Sequence, residues 1–310
     1  MFYRGGNPAA TEVQYKLKSV LLAGAPSLLV SFALFLPFSS RAADLNTLET
    51  GQFAQNRPFP AAFTVLDWNI DQGRHLEEIE RQISELVPAL CLFQEVDRGT
   101  RRTNGRNVTR DLAVALHLNY VFAPEFHELS QGSADAPAYQ GQALLTTLPV
   151  RASRLIRFAH QSGFWKPNPL MSSHIPLMQR REGGRIALVA ELDAGGKTLV
   201  VYNLHLESKG TEGLRSSQLA EVLADAAHYP ADTPIILAGD LNTFVFHSRL
   251  IPQLTAAGFR SVLGSERPRT HVLLGELDWL VVRGALRFDH AQVLHVHGSD
   301  HYPIRVDLGL

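Results

Sequence analysis

Hydrophobic positions along this chain form short strand-like runs, separated by segments with helical spacing. Apolar residues follow one another directly at Ala89–Phe93, which indicates a strand buried on both faces. Residues 74–86 instead carry apolar side chains every three or four positions, and Pro88 follows. A helix that ends before the proline is therefore predicted there.

The same reading predicts a chain of mixed elements. Capping by Thr109 predicts a helix through His117, and apolar spacing predicts helices around 214–223 and over Ser248–Ala257. A hairpin is predicted across Ala194-Gly195-Gly196-Lys197, joining Ile186–Leu192 to Thr198–Leu206. Further strands are predicted at Phe63–Ile70, Asn119–Phe122, Gln142–Thr147, Pro234–Ala238, Leu277–Arg283, Arg287–Val296 and Tyr302–Leu308.

These elements indicate an α/β (α+β) protein, because strands alternate with helices in some places and pair directly in others. Mixed sheets covered by helices are the expected result. Residues 43–60 are polar and lack periodicity, so we expect an extended lead-in there. Phe126–Gln140 and Arg157–Arg185 are expected to be long irregular loops, of the kind that are often functional.

The first 42 residues differ from the rest in pattern. Lys16 and Lys18 precede the apolar run Ser19–Phe38, and Ser40-Arg41-Ala42 offers a small-x-small cleavage pattern. This layout predicts a signal peptide over residues 1–42. The alternative is an uncleaved anchor that holds the protein at a membrane, since about 20 apolar residues can span a bilayer. Both readings place the folded body of the protein in the periplasm or outside the cell.

Composition narrows the possibilities further. The chain has 310 residues, of which 45% are hydrophobic, and no linker is visible, so one domain over residues 61–310 is favoured. A formal charge of −1 gives no global footprint for long nucleic acid. Cys91 is the only cysteine, which excludes an intramolecular disulfide. A monomer is expected.

Candidate metal ligands lie at the ends of two predicted strands. Glu95 follows Ala89–Phe93, and Asn69 closes the first strand. A hard cation such as Mg²⁺ prefers carboxylate and water ligands, so Glu95 is the best candidate, with Asn69 as an amide ligand or as an orienting group. The structural alternatives are a strand-capping charge paired with Arg98 and an ordinary turn residue.

A second group is suited to holding water and phosphate. Asp240 and Asn242 lie two apart, which places both side chains on one face of an extended backbone. The carboxylate could hold the attacking water and the amide could donate to phosphate. The alternative is an Asx turn that closes a strand.

Two imidazoles complete the candidate chemistry. His301 could stabilise a phosphoryl transition state as a cation if Asp278 holds its ring. Asp300 would then face the metal or the other side of the phosphate. His205 is the second imidazole, and its structural alternative is a satisfied core histidine.

Arg102 and Arg106 belong to an arginine-rich segment downstream of Glu95. Guanidinium groups match phosphate geometry, so both are candidate substrate-binding residues. The alternative is a solvated loop neutralised by acidic neighbours.

Two other hydrolytic centres are disfavoured. The thirteen histidines show no Cys/His or His-Glu-x-x-His layout for zinc. No Gly-x-Ser-x-Gly elbow follows a strand, so a serine hydrolase of the α/β type is not indicated.

Taken in order, these motifs resemble the endonuclease/exonuclease/phosphatase superfamily, which includes deoxyribonuclease I-like nucleases, apurinic-site endonucleases, neutral sphingomyelinases and inositol polyphosphate 5-phosphatases. The resemblance runs from about Phe63 to the C-terminus. One departure is Gln142, where many relatives carry Asn. The carrying segments are Asp67-Trp68-Asn69-Ile70, Phe93-Gln94-Glu95-Val96-Asp97, Gly141–Leu145, Asn203-Leu204-His205-Leu206, Gly239–Thr243, Leu277-Asp278-Trp279-Leu280 and Ser299-Asp300-His301.

The resemblance implies a four-layer sandwich, with two facing mixed β-sheets and helices on the outer faces. It implies phosphoester hydrolysis by water with Mg²⁺, and Mn²⁺ as the alternative. It assigns Glu95 and Asn69 to the metal, Asp240 and Asn242 to the water and phosphate, and His205 and His301 to phosphate contact, with Asp278 orienting His301.

We therefore expect an exported phosphodiesterase of the nuclease type. The alternatives are a phosphatase or a phospholipase C-like enzyme, acting on a small phosphate ester or a phospholipid head group. A loop around Phe164, Trp165, Pro167, Leu170 and Met171 could insert at a lipid interface, or could simply pack. A catalytically silent binding module is the alternative of another class.

Overall fold

The computed structural model describes residues 45–55, 59–166, 181–243 and 249–310. The predicted signal peptide lies outside these residues, as do Pro167, Leu170 and Met171. Within the described ranges, no helix has both the length and the apolar character needed to cross a membrane.

Fourteen strands and four helices make up the described part of the chain. The helices are α1 (Leu76–Leu86), α2 (Val108–Ala115), α3 (Glu212–Ala226) and α4 (Leu250–Ala256). The strands are β1 (Glu49–Gly51), β2 (Ala62–Gln72), β3 (Leu90–Arg98), β4 (Asn119–Glu128), β5 (Tyr139–Thr146), β6 (Val150–Arg157), β7 (Arg181–Gly183), β8 (Ile186–Ala194), β9 (Lys197–His205), β10 (Ile235–Asp240), β11 (Arg260–Ser261), β12 (Asp278–Arg283), β13 (Arg287–Val293) and β14 (Ile304–Gly309).

The strands form two mixed sheets. The first has the order β1-β4-β5-β3-β2-β14-β13, with β7 paired to β4, and the second has the order β11-β12-β10-β9-β8-β6. Each contains one parallel pair, β2 with β3 and β9 with β10, and the other pairs are antiparallel. The mixed sheets predicted from the sequence are confirmed.

Three apolar clusters show that the sheets face each other and carry helices outside. A central cluster joins side chains of both sheets, such as Val65 from β2 and Val201 from β9. A second cluster packs α1 and α2 against the outer face of the first sheet, and a third packs α3 and α4 against the second sheet. The result is the expected four-layer sandwich.

Side-chain alternation places polar residues at one end of the central layer. Inward positions on β2 are apolar at Phe63 and Val65, and the same face continues with Asp67 and Asn69. On β9 the inward-facing positions change in the same way, from the apolar Val201 to polar residues. Sequence alternation therefore delivers a polar, buried zone at the edge of an otherwise apolar core.

Asn203 joins the two sheets within this zone. Its Nδ2 donates to the backbone oxygens of Phe93 and Ala143 at 3.0 and 2.9 Å, and its Oδ1 accepts from Gln94 Nε2 at 2.7 Å. Gln94 Nε2 also donates to Asp67 at 2.8 Å. These contacts fix the spacing of the sheets beside the candidate site.

Several predicted elements differ from the structure. The cap of α2 is Asn107, whose side chain accepts from Arg110 N, so Thr109 lies inside the helix. Glu95 does not end its strand, because β3 continues past a register shift between Phe93 and Val96.

The segments expected to be irregular also contain strands. Residues 49–51 of the expected lead-in pair with β4 as an edge strand. The expected loop Arg157–Arg185 contains β7, and its first residue ends β6. The loop between β4 and β5 is shorter than Phe126–Gln140, since β4 runs to Glu128 and β5 begins at Tyr139.

Candidate active site

The second sheet brings three candidate residues side by side. Asp240 pairs in register with His205 on one side and with Asp278 on the other. All three are inward positions and are buried. A carboxylate is therefore flanked by an imidazole and a second carboxylate at the polar end of the central layer.

Asp240 lies at the centre of the site. Its Oδ2 accepts from Asn69 Nδ2 of the facing sheet at 3.2 Å and lies 3.5 Å from His205 Nε2 and 3.9 Å from His301 Nε2. Burial and the charge of Asp278 raise its pKa to about 7. A carboxylate with that pKa is matched to accepting a proton near neutral pH.

His301 is held as a cation by Asp278. Its Nδ1 lies 2.8 and 3.1 Å from the two oxygens of Asp278. Burial acts to lower the pKa of His301, but the charge and hydrogen bond of Asp278 outweigh it and raise the pKa to about 10. The backbone is fixed as well, because Trp68 Nε1 donates to the His301 oxygen at 2.9 Å.

His205 differs from His301 in its charge state. Burial and the nearby cation of Arg185 lower the pKa of His205 well below its usual value, so the ring is neutral. Its Nδ1 has no hydrogen-bond partner among the described residues, whereas its Nε2 faces Asp240 and lies 4.0 Å from Glu95 Oε1. The proton is therefore best placed on Nε2, as a neutral donor beside two carboxylates.

Glu95 is presented by the break in the β3 ladder. Its backbone has φ +53°, a left-handed conformation that is unfavourable for residues with side chains. Burial acts to raise its pKa, but the hydrogen bond from Gln72 and the charge of Arg185 outweigh it, and the pKa is lowered. Glu95 is therefore an ionised carboxylate, and Arg98, its suggested structural partner, pairs instead with Glu49 at 2.7 Å.

Asn69 and Asn242 both position Asp240. Besides its bond to Asp240, Asn69 accepts at Oδ1 from Asp71 N at 3.2 Å. The Asn242 backbone N–H donates to Asp240 Oδ1 at 2.9 Å, and its side chain donates to Leu206 O at 3.0 Å. The contacts of Asn69 match the role of a group that orients Asp240. Metal ligation by Asn69 and phosphate contact by Asn242 stay predictions.

Asp71 is a further carboxylate that the sequence reasoning missed. Burial and the charges of Glu95 and Asp300 raise its pKa to about 6, so the three carboxylates act on one another. Asp300 is mostly exposed, and its Oδ2 lies 3.6 Å from His271 Nε2. A cavity of about 470 Å³ lies between Asp71 and Asp300. The sequence signal that could have identified Asp71 was its spacing, because Asp71 follows Asn69 by two residues.

These oxygen donors fit a hard divalent cation. Glu95, Asp71 and Asp300 repel one another, and a cation would offset that repulsion. Among the described residues, two groups of three side chains, and not these three carboxylates, bring their possible ligand atoms within 4.8 Å of one another, namely His271 with Asp300 and His301, and Asp240 with Asp278 and His301. Both need His301, which as an imidazolium has no free lone pair. Glu95 with Asp71 is therefore the better centre.

Arg102 and Arg106 are both paired with carboxylates. Arg102 donates to the two oxygens of Asp97 at 2.6 Å each and lies 3.4 Å from Glu128. Arg106 donates to Glu77 at 2.7 Å. These pairs match the alternative of a loop neutralised by acidic neighbours, and substrate binding by either arginine stays a prediction.

Gln142 is buried rather than presented to the site. Its Nε2 donates to Ile186 O at 2.9 Å and to Glu125 at 3.3 Å. The Gln142 side chain therefore links β5 to the backbone of β8.

Solved structures with the same fold are enzymes of several kinds or proteins of unknown role. An endonuclease/exonuclease/phosphatase from Beutenbergia cavernae is 18% identical with TM-score 0.60, covering 81% of this chain and 72% of that one. A humanized D. rerio TDP2 is 18% identical with TM-score 0.58, covering 81% and 100%. The mannosyl-6-phosphatase Bt3783 of Bacteroides thetaiotaomicron is 14% identical with TM-score 0.59, covering 80% and 100%.

Sequence comparison identifies the family directly. No curated protein sequence matches the chain at a significant level. The model of the endonuclease/exonuclease/phosphatase family matches residues 68–301, a span from Trp68 to His301 that includes every residue of the site described above. The chain is therefore a phosphoester hydrolase that belongs to the endonuclease/exonuclease/phosphatase family.

Proposed function

We propose that this protein is an exported, Mg²⁺-dependent phosphodiesterase of the nuclease type. The observation that carries the proposal is the contact of Asp240 with both imidazoles and with Asn69 of the facing sheet. Attack of water on a phosphodiester requires a proton acceptor, a cation and a neutral hydrogen-bond donor. One buried group of side chains supplies all three.

The residues divide the reaction between them. Asp240, oriented by Asn69 and Asn242, accepts the proton of the attacking water. His301, protonated and held by Asp278, stabilises negative charge that grows on the phosphoryl oxygens. His205 donates a neutral hydrogen bond from Nε2. Glu95 with Asp71 would hold the divalent cation, which supplies charge neutralisation on phosphate.

Substrate class and location are the finer parts of the proposal. A relative of the same fold, D. rerio TDP2, has been solved with a single-strand DNA product, which supports a nucleic-acid strand as the first candidate. The N-terminal pattern of Lys16, Lys18 and the apolar run Ser19–Phe38 supports the proposal of export.

Hydrolysis of a small panel tests the chemistry and the substrate together. The chain is incubated with Mg²⁺, Mn²⁺ or EDTA on plasmid and single-stranded DNA, bis-p-nitrophenyl phosphate, sphingomyelin and inositol phosphates. We expect chelator-sensitive cleavage of DNA and the diester, abolished by Glu95→Ala and by His301→Ala. Activity that survives both substitutions would contradict the site, and a wild-type chain that binds metal but is silent on every substrate would point to an untested substrate or a missing partner.

Export is tested separately by fractionating cells that express the full chain. We expect the protein in the exported fraction, and deletion of residues 1–42 should retain it in the cytoplasm. Equal cytoplasmic retention of both forms would contradict this part of the proposal.

A phospholipid head group is the second candidate substrate, favoured by one surface feature. Val272, Leu273 and Leu274 form a loop tip whose side chains are 37%, 81% and 47% exposed. The tip adjoins the site, because Val272 N donates to Asp300 O at 2.9 Å. In the loop for which the sequence left lipid insertion and ordinary packing open, Phe164 is 39% exposed.

Leu273→Glu with Leu274→Glu separates the two candidates. If lipid is the substrate, the double variant loses hydrolysis of phospholipid vesicles while it retains hydrolysis of the soluble diester. If nucleic acid is the substrate, vesicles are not hydrolysed by the wild-type chain either.

A further inference from the structure

The two carboxylate oxygens of Glu95 have different surroundings. Oε2 accepts from Gln72 Nε2 at 2.9 Å and from Gln140 Nε2 at 3.5 Å. Oε1 accepts no hydrogen bond from the described residues, and Nε2 of the neutral His205 ring lies 4.0 Å away. One oxygen is thus occupied by two amides and the other is left available.

Each amide is in turn held by an arginine. Arg74 Nε donates to Gln72 Oε1 at 2.6 Å, and Arg181 Nη1 donates to Gln140 Oε1 at 3.2 Å. A guanidinium can only donate and an ionised carboxylate can only accept. Both amides therefore have a single orientation that satisfies their neighbours, with N–H toward Glu95 and oxygen toward the arginine.

The two arms, each consisting of a glutamine and the arginine that holds it, differ in how firmly they are fixed. Arg181 is almost buried, lies 2.8 Å from Glu128, and packs under Trp165 with its guanidinium carbon 4.9 Å from the ring centre. Arg74 is 37% exposed and has Asp71 as its ion partner at 3.6 Å. The Gln140 arm is therefore rigid, and the Gln72 arm is more open to solvent.

Both arms contact Glu95, whose backbone conformation is unfavourable. Glu95 has a left-handed backbone at the break in β3, and such a conformation persists only where its surroundings fix it. Two donors on the same oxygen hold the carboxylate plane and limit rotation of the side chain.

We propose that Gln72 and Gln140 are positioning residues that occupy Glu95 Oε2, so that Glu95 offers one oxygen to a divalent cation. This inference rests on the proposed metal dependence of the site. A small cation with octahedral preference, such as Mg²⁺, is served by single carboxylate oxygens and water, whereas Ca²⁺ accepts bidentate carboxylates and more ligands. The two amides therefore favour Mg²⁺ over Ca²⁺.

The experiment is a titration of the full chain with Mg²⁺ and with Ca²⁺ by isothermal calorimetry, without substrate. Gln72→Leu and Gln140→Leu remove one donor each at similar volume, and Gln82→Leu on α1, whose amide donates to Glu78, is the matched control. Outer partners of metal ligands typically contribute about 10- to 100-fold in affinity.

We expect each variant to weaken Mg²⁺ binding by about 10-fold and to weaken Ca²⁺ less, so that the preference for Mg²⁺ narrows. Unchanged Mg²⁺ affinity in these variants, or equal losses for the two cations, would overturn the inference.

A failure of the proposed function is distinguishable from a failure of this inference. If the wild-type chain binds neither cation, the metal dependence of the site is wrong. If the wild-type chain binds Mg²⁺ and the variants bind both cations as it does, only the role of the two glutamines is wrong.

Discussion

Replacing Asp278 with Asn tests the electrostatic design of the site. The substitution keeps an oxygen 2.8 Å from His301 Nδ1 but removes the negative charge. The pKa of His301 should then fall, because burial acts to lower it and the charge that opposes burial is gone. The pKa of Asp240 is subject to two opposing changes, because Asp278 raises it and the His301 cation lowers it.

The size of the effect follows from the His301 pKa. The interval between its ordinary value of 6.5 and about 10 corresponds to roughly 5 kcal/mol of preference for the cation, at ~1.4 kcal/mol per pKa unit. In the variant, His301 should be neutral near pH 8. Loss of one preorganised group that stabilises transition-state charge costs about 10²- to 10³-fold in rate.

The assay is the pH dependence of kcat/KM on bis-p-nitrophenyl phosphate, with Asp289→Asn on the surface as control. The wild-type chain should lose activity on the alkaline side near pH 10, where His301 deprotonates. In Asp278→Asn the alkaline limb of the pH profile should shift to lower pH, because the pKa of His301 falls. An alkaline limb that stays near pH 10 in a folded variant would refute the reasoning.

The same pair contributes to stability with a defined sign. The folded-state pKa of His301 lies above its ordinary value, so its stabilising contribution is full below about pH 6.5 and is lost as the pH rises through about 10. Chemical denaturation of the wild-type chain and Asp278→Asn should therefore give curves that converge at high pH.

Three further outcomes are expected. Asn203→Ala removes three hydrogen bonds between the sheets and should cost roughly 3 kcal/mol in urea unfolding, against about 1 kcal/mol for the cap variant Asn107→Ala; equal losses would contradict the inter-sheet role. Gly239→Ala would place Cβ 2.0 Å from a backbone oxygen of β9 at φ +133° and should yield little folded protein by circular dichroism, whereas Gly213→Ala, whose Cβ would meet only the Thr211 hydroxyl oxygen at 3.6 Å, should fold. Burial raises the pKa of Cys91, so a thiol reagent should label it only after denaturation, and rapid labelling of native protein would show that the thiol is accessible.

Buried strands were predictable because their apolar runs are local signals. β3, β10 and the hairpin of β8 and β9 were expected close to where they lie. By contrast, β6 was missed because it is an edge strand with mostly exposed or half-exposed side chains. β1 and β7 are three residues each, and their pairing with β4 depends on tertiary contacts that no local pattern encodes.

The candidate site was predictable as a set of residue types but not in its detail. Order along the chain brought Glu95, Asp240 and His301 into consideration, and the structure places all three around one centre. The opposite charge states of His205 and His301 could not be read from sequence, because they depend on burial and on which carboxylate faces each ring. Asp71 was missed because its role depends on a left-handed turn at φ +40° that directs it toward Glu95 and Asp300.

The position of β14 has a consequence for the order in which the molecule is made. Although β14 follows all the other described strands along the chain, it lies between β2 and β13 inside the first sheet, where Ile304 pairs with Asp67. A growing chain cannot complete this sheet, or bring His301 to Asp240, until the β14 segment has been made. A chain truncated before residue 304 would therefore lack an inner strand of the first sheet and a finished core.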